Sequence, residues 1–363
     1  MSERTALLAL AHIVEPGDHR IGTMVDEWGA QQCLDRIRSG DVGLRGRSAL
    51  RQRLERLDLD DRLAAADRIG ARLIVSGDRE WPSQLDDLGT GRPLALWVLG
   101  AANLRLTALR SLAVVGARAA SPYGEAVCHE WCGHFVEHSF TVVSGGAYGI
   151  DAAAHRAVLA SGGMTICVLA CGVDVSYPRA HDALLARIAD DGLLVSEAPL
   201  GEEVRRQRFL TRNRVIAALT RATLVVEAAV RSGTTSTANV AMTLNRPVLA
   251  VPGPVTSAMS GGCHKLLRDT DAILASRVED VLEVIGDLGE FVEPAGQRLA
   301  RDDLTPVQAR VLDALPAAGS AGVDSLVLRA GMDPPEVAAA LALLEIRGFV
   351  VQSATGWALD GRA

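Results

Sequence analysis

Residues 205–252 read RRQRFLTRNRVIAALTRATLVVEAAVRSGTTSTANVAMTLNRPVLAVP. Within them, a helical stretch leads into the apolar run TLVVEA (223–228). The small-polar loop SGTTST (232–237) follows, then another helical stretch and the short strand VLAV (248–251). Strand, loop, helix and strand in that order are the repeating unit of a parallel α/β sheet. Five arginines fall between Arg205 and Arg214, with Phe209 among them. That charge lies at one edge of the predicted sheet, in a chain whose net charge is −7. A local positive cluster on an acidic protein suits a polyanion. The plainer alternative is a solvated arginine-rich helix face, the commoner fate of a charge run.

The same pattern extends outward. SLAVVGAR (111–118), FTVVSGG (140–146), MTICVLAC (164–171) and GLLVSEA (192–198) are short apolar strands, each followed by a helical stretch. Near-continuous apolar strands imply a parallel sheet covered on both faces. Upstream, ARLIVSGD (71–78) and PLALWVLG (93–100) add two strands around a turn and short helix, EWPSQLDDL (80–88). The predicted fold class is α/β. An extended Rossmann-like, doubly wound sheet occupies residues 66–290, with a small helical domain over 1–65 before it. In that domain Ala6–His12 is broken by Pro16–Gly17, a second helix runs from Gly22 to Ile37, and a third carries Leu50, Leu54 and Leu57 at helical spacing. After a linker, residues 303–363 hold three helical stretches and two short strands, FVVQS and GWAL, the layout of a winged-helix domain. Its third helix, PEVAAALALLEIRG, carries one basic residue, Arg347. It is suited to protein contact or packing rather than to reading duplex DNA.

The chain has 363 residues, 48% of them hydrophobic and only 4% aromatic, so its core is built from Ala, Val, Leu and Ile. The acidic balance restricts any nucleic-acid contact to a patch. The N-terminus lacks a signal-peptide pattern and no apolar run is long enough to span a bilayer, so a cytoplasmic protein without membrane contact is expected. The six cysteines, Cys33, Cys128, Cys132, Cys167, Cys171 and Cys263, form no C-x-x-C pair and read as free buried thiols. Cys128 and Cys132 share a helix face near His129, His134 and His138, yet the spacing fits no standard zinc pattern. Neither a metal nor a cofactor is expected.

Ligands of open α/β sheets bind at the carboxyl ends of the strands. The loop after the first core strand offers Gly116 and Arg118, then Ser121–Pro122 to start a helix. The next loop offers Ser144, Gly145, Gly146 and Gly149, with Asp151 as the expected N-cap. Ser232, Gly233 and Thr234 precede a third helix. Glycine turns and helix N-termini bind phosphate through exposed N–H groups and the helix dipole. Any single glycine is better explained by a tight turn; the combination with the arginine cluster points to one anion site. G-x-G-x-x-G, G-K-[ST] and G-x-S-x-G are absent from these loops, which disfavours a dinucleotide enzyme, a P-loop NTPase and an α/β-hydrolase. His155 reads as a helix-packing histidine, and no catalytic residue is expected.

The ordered strings VGAR…SPYG, SGGAYGIDAAAH, TICVLACGVDVSYP, LLVSEAPLG, FLTRNRVIAALTRATLVVEAAVRSGTTSTA and VLAVPG resemble the DNA-processing protein A family (DprA, or Smf). The resemblance covers about Ala71 to Leu282. The flanking parts are similar more weakly, the first to a SAM or helix–hairpin–helix-like domain. The resemblance implies a single-stranded DNA-binding homodimer of natural transformation and recombination. Such a protein protects incoming strands, promotes loading of the RecA recombinase, and is not an enzyme. It places Arg118, Arg206, Phe209, Arg212, Asn213 and Arg214 in the DNA pocket, with Lys265 in a later motif. Three positions depart from the family pattern: Ala117 replaces Ser or Thr, Leu210 stands where proline is common, and GGCHKLL (261–267) carries His264 and Lys265.

On physical grounds, arginine binds phosphate bidentately without reading bases. Phe209 is placed either to stack an unpaired base or to sit in the core beneath the cluster. The main rival is a LOG-type nucleotide phosphoribohydrolase-like enzyme, whose P-G-G-x-G-T-x-x-E motif corresponds here to SGTTSTAN without the glutamate. An interaction scaffold with a vestigial pocket is the third reading.

Overall fold

In a computed structural model, residues 2–41, 47–230, 233–291, 300–353 and 355–360 are described. The chain divides into two compact units, Met1–Phe291 and Val292–Ala363.

The first unit opens with four helices, α1 (Glu3–Ile13), α2 (His19–Ser39), α3 (Arg47–Glu55) and α4 (Leu59–Arg68). Leu10, Ile13, Ile21, Leu34 and Ile37 form their core, and Leu50, Leu54 and Leu57 pack against it. These helices are not detached from the sheet. Leu8 and Ala11 of α1 also pack with Trp97 and Leu194 of its strands, so no packing break falls near residue 65.

Nine strands make the sheet: β1 (Arg72–Ile74), β2 (Leu96–Leu99), β3 (Ser111–Val115), β4 (Thr141–Ser144), β5 (Thr165–Leu169), β6 (Leu193–Ser196), β7 (Ala222–Val225), β8 (Val248–Ala250) and β9 (Ile273–Leu274). Their spatial order is β1-β2-β6-β5-β4-β3-β7-β8-β9. From β6 to β9 every pair is parallel. β1 and β2 are an antiparallel extension at the β6 edge, with Trp97 opposite Ser196. The connecting helices are α5 (Leu104–Leu109), α6 (Pro122–Glu137), α7 (Ile150–Ala160), α8 (Asp182–Asp191), α9 (Arg206–Leu219), α10 (Thr234–Thr243), α11 (Gly261–Asp269) and α12 (Val278–Ile285). Alternate strand residues face opposite layers, as the pleat requires. Ala113, Val115, Val143 and Val225 pack under α9 and α10, while Leu112, Val114, Val142 and Leu224 pack under α6 and α7.

From β3 the chain crosses through α6 to β4 on one side. From β7 it crosses through α10 to β8 on the other, yet β3 and β7 are hydrogen-bonded neighbours. Their loops therefore diverge above the sheet and open a crevice, the usual ligand position in such folds.

The second unit holds α13 (Pro306–Ala314), α14 (Val323–Ala330), α15 (Pro334–Ile346) and the hairpin β10 (Val350–Ser353) and β11 (Gly356–Leu359). Thr305 and Gln308 cap α13 reciprocally. Val311, Leu326, Leu341, Leu344 and Trp357 form its core. This is the expected three-helix, one-hairpin winged helix.

Candidate nucleic-acid interface

Two adjoining cavities fill the crevice. The larger, about 360 Å³, lies between the loops after β3 and β7 and the outer face of α9. The smaller, about 90 Å³, lies between the β4 loop, the segment after β5 and the start of α9. Arg118, Ala147 and Phe209 line both. The Arg118 guanidinium carbon lies 5.1 Å from the centre of the Phe209 ring, and Tyr177 meets the same ring with centroids 5.7 Å apart. Phe209 is half-buried and lines both cavities.

Arg118 is exposed, and among the described residues no carboxylate pairs with it. It owes its place to the glycine turn before it. A Cβ on Gly116 would lie 2.5 Å from Ile150, and one on Gly149 (φ +76) would lie 2.2 Å from the Ala117 carbonyl. The β3 and β4 loops therefore close on each other only with glycine at both points. Gly149, not Asp151, takes the N-cap position of α7. Asp151 sits in the first turn instead, where its carboxylate accepts from the Ala147 N–H at 3.3 Å. Burial pushes the Asp151 carboxyl up, against the pull of Arg212.

The arginine cluster does not act as one patch, because helix α9 distributes it around its circumference. Arg212 is buried beneath the cleft and donates to the carbonyls of Gly145, at 2.7 Å, and Val168. A Cβ on Gly145 would lie 2.1 Å from Arg212 Nη1, so this glycine makes room for the guanidinium. Arg214 faces away, toward the N-terminal helices. It pairs at 2.5 Å with Glu197, whose side chain is 8% exposed, and abuts Gly17. Burial raises the Glu197 pKa and Arg214 opposes it. Arg208 is likewise buried and pairs with Glu15 and Glu202, each at 2.9 Å. Burial raises the Glu15 pKa, but Arg208 and Arg205 outweigh it and hold the carboxyl below the usual range. Arg206 is exposed, on the stripe that Leu210 and Asn213 continue along the rim of the larger cavity.

Gly116, Arg118, Gly145, Gly146, Phe209, Arg212, Asn213, Gly233 and Thr234 thus converge on the two cavities. Asn213 Nδ2 donates to the Gly233 carbonyl at 3.4 Å, and the Thr234 hydroxyl donates to the Gly116 carbonyl at 2.9 Å, tying α10 to the β3 loop. Four expected residues line neither cavity, Arg206 among them, exposed one turn before Leu210 on α9. Ser144 is fully buried and donates its hydroxyl to the Val114 carbonyl at 2.6 Å. Arg214 is turned away by the helix period. Lys265 is exposed on α11, whose Cys263 and Leu266 face the core, and it lines neither cavity. Ser232 lies outside the described residues.

Sequence reasoning passed over four contributors. Tyr148 and Tyr177 wall the smaller cavity and are 48% and 41% exposed; an aromatic side chain inside a glycine loop was the available sign. His181 is buried and its Nδ1 contacts the Gly146 carbonyl at 3.1 Å, bracing that loop. Glu227 is buried and accepts from the Ser121 N–H and hydroxyl at 2.9 and 2.6 Å. It occupies the N-terminus of α6, so an anion there would meet a carboxylate already in place. The cysteines of the chain are all buried and free. Among the described residues, no group of three His, Cys, Asp or Glu side chains is placed to hold a metal ion. No helix among them is long and apolar enough to cross a membrane.

Comparison with known proteins gives two domain matches: DNA recombination-mediator protein A over residues 72–286, and the DprA winged helix domain over residues 295–356. A putative DNA processing protein DprA of Mycobacterium tuberculosis H37Rv is 44% identical over 94% of this chain and 90% of its own length. Protein Smf of Escherichia coli K12 is 35% identical over 93% and 91%. Among solved structures, DNA processing protein A of Streptococcus pneumoniae aligns with a TM-score of 0.66 and 31% identity, covering 80% of this chain and 99% of that one. The protein of the same name from Helicobacter pylori, described for its single-stranded DNA binding mode, aligns with a TM-score of 0.54 and 26% identity, over 59% and 95%.

Proposed function

As the chain belongs to the DNA recombination-mediator protein A family, we propose that its cleft holds single-stranded DNA and that the protein passes the strand to the RecA recombinase. The observation that carries this reading is the Arg118–Phe209 pair, a cation with no carboxylate partner among the described residues over a half-buried ring, at the junction of the two cavities. Arg118 and Arg206 contact phosphates, Phe209 stacks a base, and Arg212 with Asn213 holds the loops in place. Gly116, Gly145, Gly146, Gly233 and Thr234 shape the backbone around the strand. Cavities of about 90 and 360 Å³ between loops suit an unpaired base, whereas a duplex keeps its bases stacked inside and presents only its outer phosphates. The strand is bound without covalent chemistry. The protein acts as a cytoplasmic homodimer in natural transformation, protecting incoming DNA until the recombinase loads. Residues 66–290 bind the strand, with the helices of 1–65 packed on that sheet as part of the same unit and the winged helix (303–363) as a separate module.

Fluorescence anisotropy with single-stranded and blunt duplex oligonucleotides across a salt series tests the binding. Tighter single-strand binding with little sequence preference is expected, and equal or better duplex binding refutes it. Truncation after Gly289 leaves most of that affinity in place. Faster RecA-driven strand exchange on protected DNA tests the transfer step. Release of free base from a nucleoside monophosphate would replace this reading with the hydrolase one.

A further inference from the structure

Helix α15 of the winged-helix unit is apolar on both sides. Val337, Ala340, Leu341 and Leu344 are buried in the unit's own core, at 0–2% exposure. Pro335, Ala338, Ala339, Ala342, Leu343 and Ile346 are all exposed, Leu343 by 49% and Ile346 by 81%. At 3.6 residues per turn these six fall in one arc of about 140° on the solvent side. Glu336 stands at one border of the arc and Glu345 at the other. A helix packed on one face ordinarily turns charged side chains to water. Here the outward face carries none, and both flanks are acidic.

Charge decides what covers it. Between residues 300 and 360 carboxylates outnumber arginines by two to one. Arg347, next to the stripe, is directed to the Asp303 carbonyl at 3.0 Å. Phosphates of duplex DNA or of an anionic lipid surface would meet two carboxylates and a single arginine already engaged with a carbonyl. A second copy would bring an equally acidic unit, with its own Glu336 and Glu345, onto the same face. A segment with cationic flanks meets neither penalty. The three alanines are short side chains and leave a shallow trough on the N-terminal side of Leu343 and Ile346, open to large apolar side chains. Small contact residues also let two helix axes approach to about 8 Å.

We propose that the outward face of α15 is a docking site for an amphipathic helix of a partner protein, one with Leu, Ile or Met along its stripe and Lys or Arg on both borders. This is helix-in-groove recognition with electrostatic register. It rests on α15 and is independent of the DNA cleft.

The test uses the full chain and two labelled synthetic helices of equal length, both with a leucine stripe, one bordered by lysine and the other by glutamate. The lysine helix is expected to bind, and the glutamate helix at least tenfold more weakly. Ala342→Gln fills the trough and Ile346→Ser removes an exposed knob, both without changing charge. Each is expected to weaken binding at least tenfold, whereas Leu328→Ser, an exposed position on α14 away from the stripe, leaves it unchanged. If Ala342→Gln melts early, Ile346→Ser carries the comparison. Equal binding of the two helices overturns the proposal, as does wild-type affinity in Ile346→Ser. A change of oligomer mass in that variant at sedimentation equilibrium also overturns it and assigns the face to a second copy.

Discussion

Arg118→Ala isolates the charge at the junction of the two cavities. The side chain is exposed, no described carboxylate pairs with it, and its guanidinium lies 5.1 Å from the centre of the Phe209 ring. Removing it leaves no buried charge behind, so the melting temperature is expected to stay within about a degree of wild type. Its loss in binding is that of one charge-assisted hydrogen-bonded contact, about 1.5–3 kcal/mol, or roughly 10- to 150-fold in Kd. The contact also releases counterions. On a single strand each phosphate neutralised contributes about 0.7 to the slope of log K against log salt. Between 50 and 200 mM salt, the ratio of wild-type to variant affinity should therefore shrink about 2.6-fold. Phe209→Ala provides the contrast. Loss of stacking is expected to cost about 1–3 kcal/mol with little change of slope, because stacking releases few ions. Anisotropy titrations at four salt concentrations, with circular dichroism as the check on folding, separate the two variants on one log–log plot. If Arg118→Ala is folded and matches wild type in both affinity and slope, Arg118 touches no phosphate and the cleft is not where the strand lies.

The exposed Arg206 and the paired Arg214 of α9 should fail differently. Arg206→Ala is expected to flatten the salt slope by about 0.7 at unchanged stability. Arg214→Ala strands Glu197 in the interior and should cost about 3–5 kcal/mol of unfolding free energy, measured in urea. Gly145→Ala drives a methyl group into the Arg212 guanidinium, 2.1 Å from Nη1. Thermal melts should show about 3 kcal/mol or more of destabilisation, and strand binding should fall with it. His155 is fully buried, and burial, aided by Arg212, lowers its pKa to about 3. The unfolded chain takes up that proton below about pH 6.5 and the folded chain does not, so this term is stabilising at neutral pH and is lost as pH falls toward 3. Denaturation at pH 7.5 and 5 should show wild type losing about 2 kcal/mol more than His155→Asn, a variant that keeps a donor for the Thr165 hydroxyl, the present partner at 2.7 Å. Equal losses would show that His155 titrates normally.

Much of the fold was legible because its signals are local. Each core strand is a short apolar run ended by a glycine loop. The helix starts announce themselves in Ser121–Pro122 and Thr305–Pro306, and the last strands are separated by a turn. Strand direction was less legible. Leu96–Leu99 reads like its parallel neighbours, but pairing partners are set by packing, and it lies antiparallel against β6. The very short β9 has too few residues to show a pattern.

For the site, the residue types and their loops could be read directly, since glycine turns, an exposed arginine and a helix N-terminus carry their chemistry in the sequence. The sorting of five neighbouring arginines could not. Periodicity puts residues 208 and 212 on one face of the helix and 206 and 214 on the other, but does not say what waits on either. The tertiary structure put Glu15 and Glu202 beside Arg208, Glu197 beside Arg214, two backbone carbonyls beside Arg212, and open space beside Arg206. Glu15 and Glu197 lie 193 and 17 residues from the arginines they meet. Whether an arginine is a structural tie or a free cation depends on such distant carboxylates, and only the folded chain brings them within reach.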